Sequence, residues 1–103
     1  MVNITELATI IRSKNAKPLE LTLDIVFKDK ESFERAKSSG VITEEQIARL
    51  YDIPRESVLS STWFAPGNAF KVTIARRIMA GDPDDTDIYG AQQHVPLLSI
   101  EIP

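Results

Sequence analysis

The most regular alternation of hydrophobic and polar positions runs from residue 19 to residue 28. Leucine, isoleucine and phenylalanine occupy its odd positions, whereas its even positions are polar except for Val26. A period of two residues is typical of a β-strand, because successive side chains point to opposite faces of a sheet. We therefore expect a strand that turns its odd face to the core and its even face, with Thr22 and Asp24, to solvent, a partner or a site.

The segment before this strand has helical spacing instead. Asn3 and Glu6 fit a capping box at a helix N-terminus. An apolar stripe at positions i, i+3 and i+4 follows it and consists of Leu7, Ile10 and Ile11. The pattern predicts an N-terminal helix that ends near Arg12 and a loop over residues 13–18.

Two further helices are predicted before the next strand. Asp29 is a suitable N-cap for the first, and Gly40 is placed to end it. Thr43 opens a second capping box, TEEQ, and Pro54 stops the helix that follows. The apolar face of this helix consists of Ile47, Leu50 and Tyr51.

Three more segments have the character of strands. Residues 58–64 and 69–76 are joined by Ala65-Pro66-Gly67-Asn68, which predicts a hairpin with a connection longer than two residues. Residues 97–102 are expected to form the last strand, after a loop over residues 80–86 and a short helical turn over residues 87–95. Trp63 and Phe64 are expected in the core.

This order of elements predicts a single α+β domain over residues 1–103. Without the N-terminal helix the order is β-α-β-β-α-β with a reduced second helix, as in a ferredoxin-like plait. In such a plait the helices cover one face of the sheet. The open face would carry Thr22, Asp24, Lys71 and Thr73.

Composition excludes several classes of function. The chain has 103 residues, which is the size of one domain, and a net charge of -3, which argues against binding to nucleic acid. It contains no apolar run long enough to span a membrane. The absence of cysteine excludes disulfides and thiolate catalysis. We expect a cytoplasmic protein.

The predicted loop after the N-terminal helix is rich in cations. Arg12, Lys14 and Lys17 lie close together, with Ser13 and Asn15 between them. Such a loop can bind a carboxylate, a phosphate or a thioester-linked anionic cofactor, with Arg12 as a bidentate donor and Asn15 turning backbone N–H groups toward the anion. The alternative is a solvated basic loop beside a helix C-terminus, where cations are favoured in any case.

Two residues are candidates for proton chemistry. Asp24 stands in a regular strand, where aspartate is disfavoured, and in a partly dry cleft it would act as a general acid or base. The alternative is an exposed strand residue paired with Arg12 or Lys71. His94 is the only histidine in the chain, so any imidazole chemistry would use it; its alternative is a structural role.

The polar segment before His94 completes the candidate site. We expect Asp87, Gln92 and Gln93 to bind or orient a ligand. The aspartates between residues 82 and 87 do not fit an EF-hand loop, because Asp87 stands where glycine is needed and Gln93 where glutamate is needed. With one histidine and no cysteine, the sequence predicts no metal and no cofactor.

Four segments together resemble the small family called domain of unknown function 4387. They are residues 12–16 (RSKNA), 21–25 (LTLDI), 81–87 (GDPDDTD) and 90–97 (GAQQHVPL). The resemblance runs from about Leu7 to the C-terminus. It departs from the family pattern at Lys17, where a glycine usually follows the Asn-Ala pair.

The resemblance implies a partner and names no catalytic residue. Such proteins are typically encoded beside, or fused to, larger proteins resembling those of acyclic terpene utilisation, in the catabolism of branched acids and CoA thioesters. It implies an accessory subunit of a hydratase- or lyase-type enzyme that acts on a carboxylate or acyl-CoA, with little activity alone. The alternative function is a homo-oligomeric module that binds or senses an anionic metabolite. A stand-alone enzyme would need a cavity at a seam between subunits, because the chain is short.

Overall fold

A computed structural model of the chain describes residues 1–17, 19–75 and 95–103, with the backbone alone for Asn15, Lys17, Val95 and Pro96. These residues form an α+β fold with two α-helices and two antiparallel sheets. The strands are β1 (Val2–Asn3), β2 (Ala8–Lys17), β3 (Glu20–Phe27), β4 (Val58–Phe64), β5 (Ala69–Ala75) and β6 (Glu101–Ile102). The helices are α1 (Lys30–Ser39) and α2 (Glu44–Leu50).

The core lies between the helices and one face of the larger sheet, whose strands run in the order β2-β3-β5-β4. The predicted odd face of β3 is confirmed, because Leu21, Leu23 and Ile25 are buried there. Four aromatic rings, with centroids 4.6 to 6.3 Å apart, join the sheet to α1; they belong to Phe27, Phe33, Trp63 and Phe70. Apolar burial on this face supplies the main stabilisation of the domain.

Both helices begin where the sequence predicts and α1 ends at the predicted glycine, whereas α2 ends at Leu50, before Pro54. The Asp29 carboxylate accepts the Ser32 backbone N–H at 2.7 Å, and Gly40 ends α1 in the left-handed conformation at φ 71°. The Thr43 hydroxyl accepts the Gln46 backbone N–H at 3.1 Å at the start of α2. Local capping groups therefore determine these boundaries.

The predicted N-terminal helix is wrong. The capping box of Asn3 and Glu6 is present, but it opens only a 3-10 turn, Ile4–Glu6, and the chain continues as the long strand β2. The predicted loop over residues 13–18 is therefore strand as far as Lys17. The apolar stripe is divided between the two faces of β2, because Ile11 packs against the core while Ile10 is 42% exposed on the other face. Since its residues include Thr9, Ile10 and Ile11, all β-branched, extended structure is favoured here.

The last strand is shorter than predicted and belongs to a different sheet. Residues 95–99 form a 3-10 helix, and only Glu101–Ile102 is strand, paired with Val2–Asn3 of β1. The Asn3 amide strengthens this contact by donating to the Leu98 carbonyl at 2.9 Å. The two ends of the chain are therefore joined beside the core.

The strand order of a ferredoxin-like plait is not confirmed. In the larger sheet β2 lies next to β3, at the edge where a plait would have its last strand. The predicted loop over residues 80–86 and all but the last residue of the predicted turn over residues 87–95 lie outside the described residues. None of the described helices is long and apolar enough to cross a membrane.

The β4–β5 hairpin has the predicted longer connection. Ala65–Gly67 forms a 3-10 turn, and Asn68 follows in the left-handed conformation at φ 51°. Trp63 packs against the core as expected, but Phe64 does not, because its side chain points to the other face and is 55% exposed. The hairpin thereby sets the register of β4 on β5, on which the site depends.

Candidate functional site

The sheet face opposite the helices, here called the polar face, is built from three rows of side chains that cross all four strands. Residues directly opposite in antiparallel strands point to the same side, so each row follows from the strand register. The charged row is Arg12, Asp24, Lys71 and Thr62. The hydroxyl row is Lys14, Thr22, Thr73 and Ser60. The apolar row is Ile10, Val26, Ala69 and Phe64.

Asp24 is the centre of the charged row. It is buried, with 5% of its surface exposed, although in the described part of the chain neither helix packs on the polar face. The Arg12 Nε donates to the Asp24 Oδ2 at 3.1 Å from β2. Lys71 is the neighbour of Asp24 on the other side, in β5, at a Cβ separation of about 5 Å for such pairs. Cations on both adjacent strands thus explain an aspartate in the middle of a regular strand.

The ion pair leaves much of Arg12 accessible. The Arg12 side chain is 57% exposed, whereas that of Asp24 is 7% exposed. The pair is therefore open to solvent on the side of the guanidinium, although its carboxylate is buried. An incoming anion can reach the Arg12 guanidinium while Asp24, on the neighbouring strand, holds the guanidinium in its orientation.

The polar face is locally positive in a chain that is negative as a whole. Its described side chains include three cations, Arg12, Lys14 and Lys71, and two carboxylates, Asp24 and Glu20. The full chain has a net charge of -3. Such a reversal of local sign attracts anions to this face.

The other two rows give the polar face an amphiphilic character. The hydroxyls of Thr22 and Thr73 lie 3.5 Å apart across β3 and β5. On the opposite side of the charged row, Ile10 and Phe64 are 42% and 55% exposed. The charged row therefore separates a hydrogen-bonding row from a hydrocarbon row.

The predicted site residues of the N-terminal cluster are divided between the two faces of β2. Lys14 is exposed on the polar face opposite Thr22, whereas Ser13 is buried on the core side opposite Leu23. The backbone of Asn15 lies opposite Leu21. The structure therefore brings Arg12, Lys14 and Asp24 together on one face and turns Ser13 away.

The predicted residues of the C-terminal cluster lie outside the described residues. They are Asp87, Gln92, Gln93 and His94. In the part of the chain that is described, no group of three or more histidine, aspartate or glutamate side chains could hold a metal ion.

A second polar cluster was missed by sequence reasoning. Arg55 pairs with Glu44 and, at 3.4 Å, with Glu45, and the Ser61 hydroxyl donates to the Glu44 Oε2 at 2.7 Å. The backbone N–H of Glu45 itself, and next Arg55, lower the pKa of the Glu45 carboxyl. This cluster fastens the start of α2 to β4 on the core side, so its role is structural. Its members are separated in the sequence, and no local motif indicates their contact.

Comparison with known protein families gives a match over nearly the whole chain. The sequence profile of the family described as Domain of unknown function (DUF4387) matches residues 4–101. The chain belongs to this family. The region matched by DUF4387 contains every strand of the larger sheet and therefore all three rows of the polar face. Neither a curated protein nor a solved structure gives a significant match.

Proposed function

We propose that this chain is an accessory subunit of a hydratase- or lyase-type catabolic enzyme and that its polar face supplies the anion-binding part of that enzyme's site. The observation that carries the proposal is the charged row, with a buried Asp24 between Arg12 and Lys71 on a face that neither described helix covers. A buried carboxylate that pairs with a more than half-exposed guanidinium, with a second cation opposite it on the next strand, is suited to orienting a charged ligand.

The arrangement of the rows favours a carboxylate or acyl-CoA as the ligand. Residues i and i+2 on one strand lie about 7 Å apart on the same face, so the charged and apolar rows are separated by about that distance. A short branched acid with its anionic group at Arg12 would lay its hydrocarbon along the row that contains Val26 and Phe64. The Thr22 and Thr73 hydroxyls would bind polar groups on the other side.

A larger partner would enclose the ligand on this face, which neither described helix covers. Catalytic sites are concave and remove most of a ligand's surface from solvent, and this strengthens the electrostatic interactions within them. In this proposal the partner resembles the proteins of acyclic terpene utilisation and closes the polar face. Asp24 then orients the Arg12 guanidinium and exchanges a proton with the ligand, together with His94.

The remaining predicted residues have binding roles in the proposal. Asp87, Gln92 and Gln93 would contact the ligand from the C-terminal segment. Lys14 would add a second cation near the ligand's anionic group.

A pull-down of the tagged chain from its native host, grown on a branched acid, tests the proposal. We expect a larger protein to co-purify in a fixed ratio and the complex to turn over its substrate, whereas the chain alone does not. Normal turnover by the pure chain, or recovery of the chain without a larger protein, would contradict the proposal. In the alternative, a homo-oligomeric anion-binding module, the Asp24→Asn variant would keep full function, because no proton is transferred.

A further inference from the structure

The two edges of the larger sheet differ in how they are protected against pairing. The β2 edge carries the cations Arg12 and Lys14, and its register shifts twice, between Ala8 and Ile10 and between Asn15 and Lys17. Charged side chains and bulges of this kind are how natural proteins keep edge strands from pairing with other chains. The β2 edge is therefore protected against pairing with another chain.

The β4 edge has one register shift, between Val58 and Ser60, and lacks the other protections. Its sequence, VLSSTWF, contains no charged residue and no proline. Within the described residues β4 pairs only with β5, so its outer backbone groups have no strand partner there. Leu59 and Phe64 on this strand are 49% and 55% exposed. An uncharged, extended edge flanked by exposed apolar side chains is a surface for strand addition.

We propose that β4 pairs antiparallel with β4 of a second copy of this chain, about a two-fold axis at Thr62. A second copy presents an identical uncharged strand, and a two-fold interface requires such self-complementarity. The pairs would be Thr62 with Thr62, Ser60 with Phe64, and Ser61 with Trp63 of the second copy. This inference is independent of the ligand and of the larger partner in the proposed function.

The alternation of faces selects this register among the possible ones. Directly opposite residues must point to the same side of the joined sheet, and a shift of one residue reverses every side chain. Between Ser60 and Phe64 the even residues lie on the polar face and the odd residues on the core face. When the pairing is centred on Thr62, each of the five positions from Ser60 to Phe64 lies opposite a residue on its own face. Ser60 and Phe64 pair on the polar face, as do the two copies of Thr62, and Ser61 pairs with Trp63 on the core face.

Centring the pairing on Ser61 instead would shorten it. The register shift between Val58 and Ser60 places these two residues on opposite faces. Phe64, on the polar face, would then meet Val58 of the second copy, on the core face. Only the three positions from Ser60 to Thr62 would match, so this register is weaker.

The proposed pairing extends the charged row across two copies. Thr62 is the last residue of that row, so the row would continue through Thr62 of the second copy to its Lys71, Asp24 and Arg12. Both sets of helices would lie on one side of an eight-stranded sheet, and both polar faces on the other. The two Lys71 side chains would be three strand spacings apart, about 14 Å, where physiological salt screens their repulsion.

The test uses the absence of cysteine from the chain. A Thr62→Cys variant places its single thiol on the proposed axis, at the Cα separation of about 5 Å that a disulfide requires. Ser60→Cys is the matched control: it is exposed on the same strand and face, but its two copies would be about 13 Å apart, too far to bridge. Under mild oxidation we expect Thr62→Cys to form a covalent dimer at least about tenfold faster than Ser60→Cys.

A second variant tests the same pairing without a covalent bond. The interface is small, so sedimentation of the unmodified chain should show a dimer that dissociates on dilution. Thr62→Lys brings two like charges together on the axis and should give a monomer with unchanged circular dichroism, since Thr62 is exposed. Equal cross-linking of the two cysteine variants would overturn the proposal, as would a monomeric wild type or an unweakened Thr62→Lys dimer.

Discussion

The two faces of β3 are buried to nearly the same degree, yet they differ completely in chemistry. On the core face Leu21, Leu23 and Ile25 are 2%, 0% and 1% exposed. On the polar face Thr22 and Asp24 are 6% and 5% exposed. The first set is held by apolar packing against the helices, and the second by hydroxyl contacts and an ion pair. Burial alone therefore does not distinguish an apolar core face from a polar face.

The two faces differ in which property of a substituted side chain affects them. A packed apolar face responds to volume, because voids in it lose both transfer free energy and van der Waals contacts. The polar face responds to charge and hydrogen bonding. Substitutions on the two faces should therefore separate loss of stability from loss of binding.

The largest effect on stability is expected for Leu23→Ala. Leu23 is fully buried, so the variant leaves a cavity and should lower the free energy of unfolding by about 3 kcal/mol. Urea titration followed by circular dichroism measures this loss. Thr62→Ala, on the exposed end of the charged row, is the control and should change the unfolding free energy by less than about 0.5 kcal/mol. A tolerated Leu23→Ala would mean that the core face is not tightly packed.

The largest effect on turnover is expected for Asp24→Asn. In the complex with the larger partner, this variant should reduce turnover about a hundredfold, because the amide cannot exchange a proton as a carboxylate does. Its melting temperature should fall less than that of Leu23→Ala. Asp52→Asn is the matched control, since Asp52 is exposed with φ 53°, a conformation that asparagine tolerates. Unchanged turnover by Asp24→Asn would favour a role in binding only.

A smaller effect on ligand binding is expected for Arg12→Gln. Removing the half-exposed guanidinium should weaken the affinity for an anionic ligand about tenfold, the range expected for one charge-assisted contact. Arg49→Gln makes the same chemical change on the exposed surface of α2 and should leave the affinity unchanged. Equal affinities of the two variants would remove Arg12 from the site.

The smallest effect concerns the acid side of the stability profile. The backbone N–H of Ser32, donating to Asp29, lowers the pKa of that carboxyl in the folded state. Its stabilisation is therefore complete above the unfolded pKa of about 3.9 and is lost as the pH falls through the lower folded pKa. Asp29→Asn keeps an acceptor at the cap, so its melting temperature should lie slightly below that of the wild type near neutrality. The difference should shrink in acid; a constant difference would contradict this assignment.

Local signals in the sequence predicted the parts of the fold that depend on local physics. The alternation in β3 and the caps at Asp29, Gly40 and Thr43 were interpreted correctly, because a strand face or a helix end is specified by a few neighbouring residues. The placement of Asp24 and Lys71 on the same face of the sheet is confirmed for the same reason.

The N-terminal strand could not be predicted in this way. Leu7, Ile10 and Ile11 have helical spacing, but the register shift between Ala8 and Ile10 interrupts the alternation that would have indicated a strand. The strand is stabilised by its pairing with β3, a contact distant in the sequence, and tertiary pairing outweighs a weak local pattern.

The candidate site illustrates the same limit. Asp24 and Arg12 were each chosen from the sequence, but the charged row depends on three strand registers at once. The place of Thr62 in that row, and of Phe64 in the apolar row, follows from the connection Ala65–Gly67, which sets β4 on β5. The residue types in the sequence indicated the candidate site residues, and the pairing of the strands determines which of them lie next to each other.

A binding titration tests most directly the claim that the charged row binds the anionic group of the ligand. The complex recovered with the tagged chain would be titrated calorimetrically with a branched acyl-CoA, as wild type and as two doubly substituted variants. Arg12→Gln with Lys71→Gln removes both cations beside Asp24, and Lys30→Gln with Arg49→Gln removes two exposed cations from the helices. We expect the first variant to bind at least about thirtyfold more weakly and the second to bind as the wild type does. Equal binding by both variants would contradict a role of the charged row in binding the anionic group.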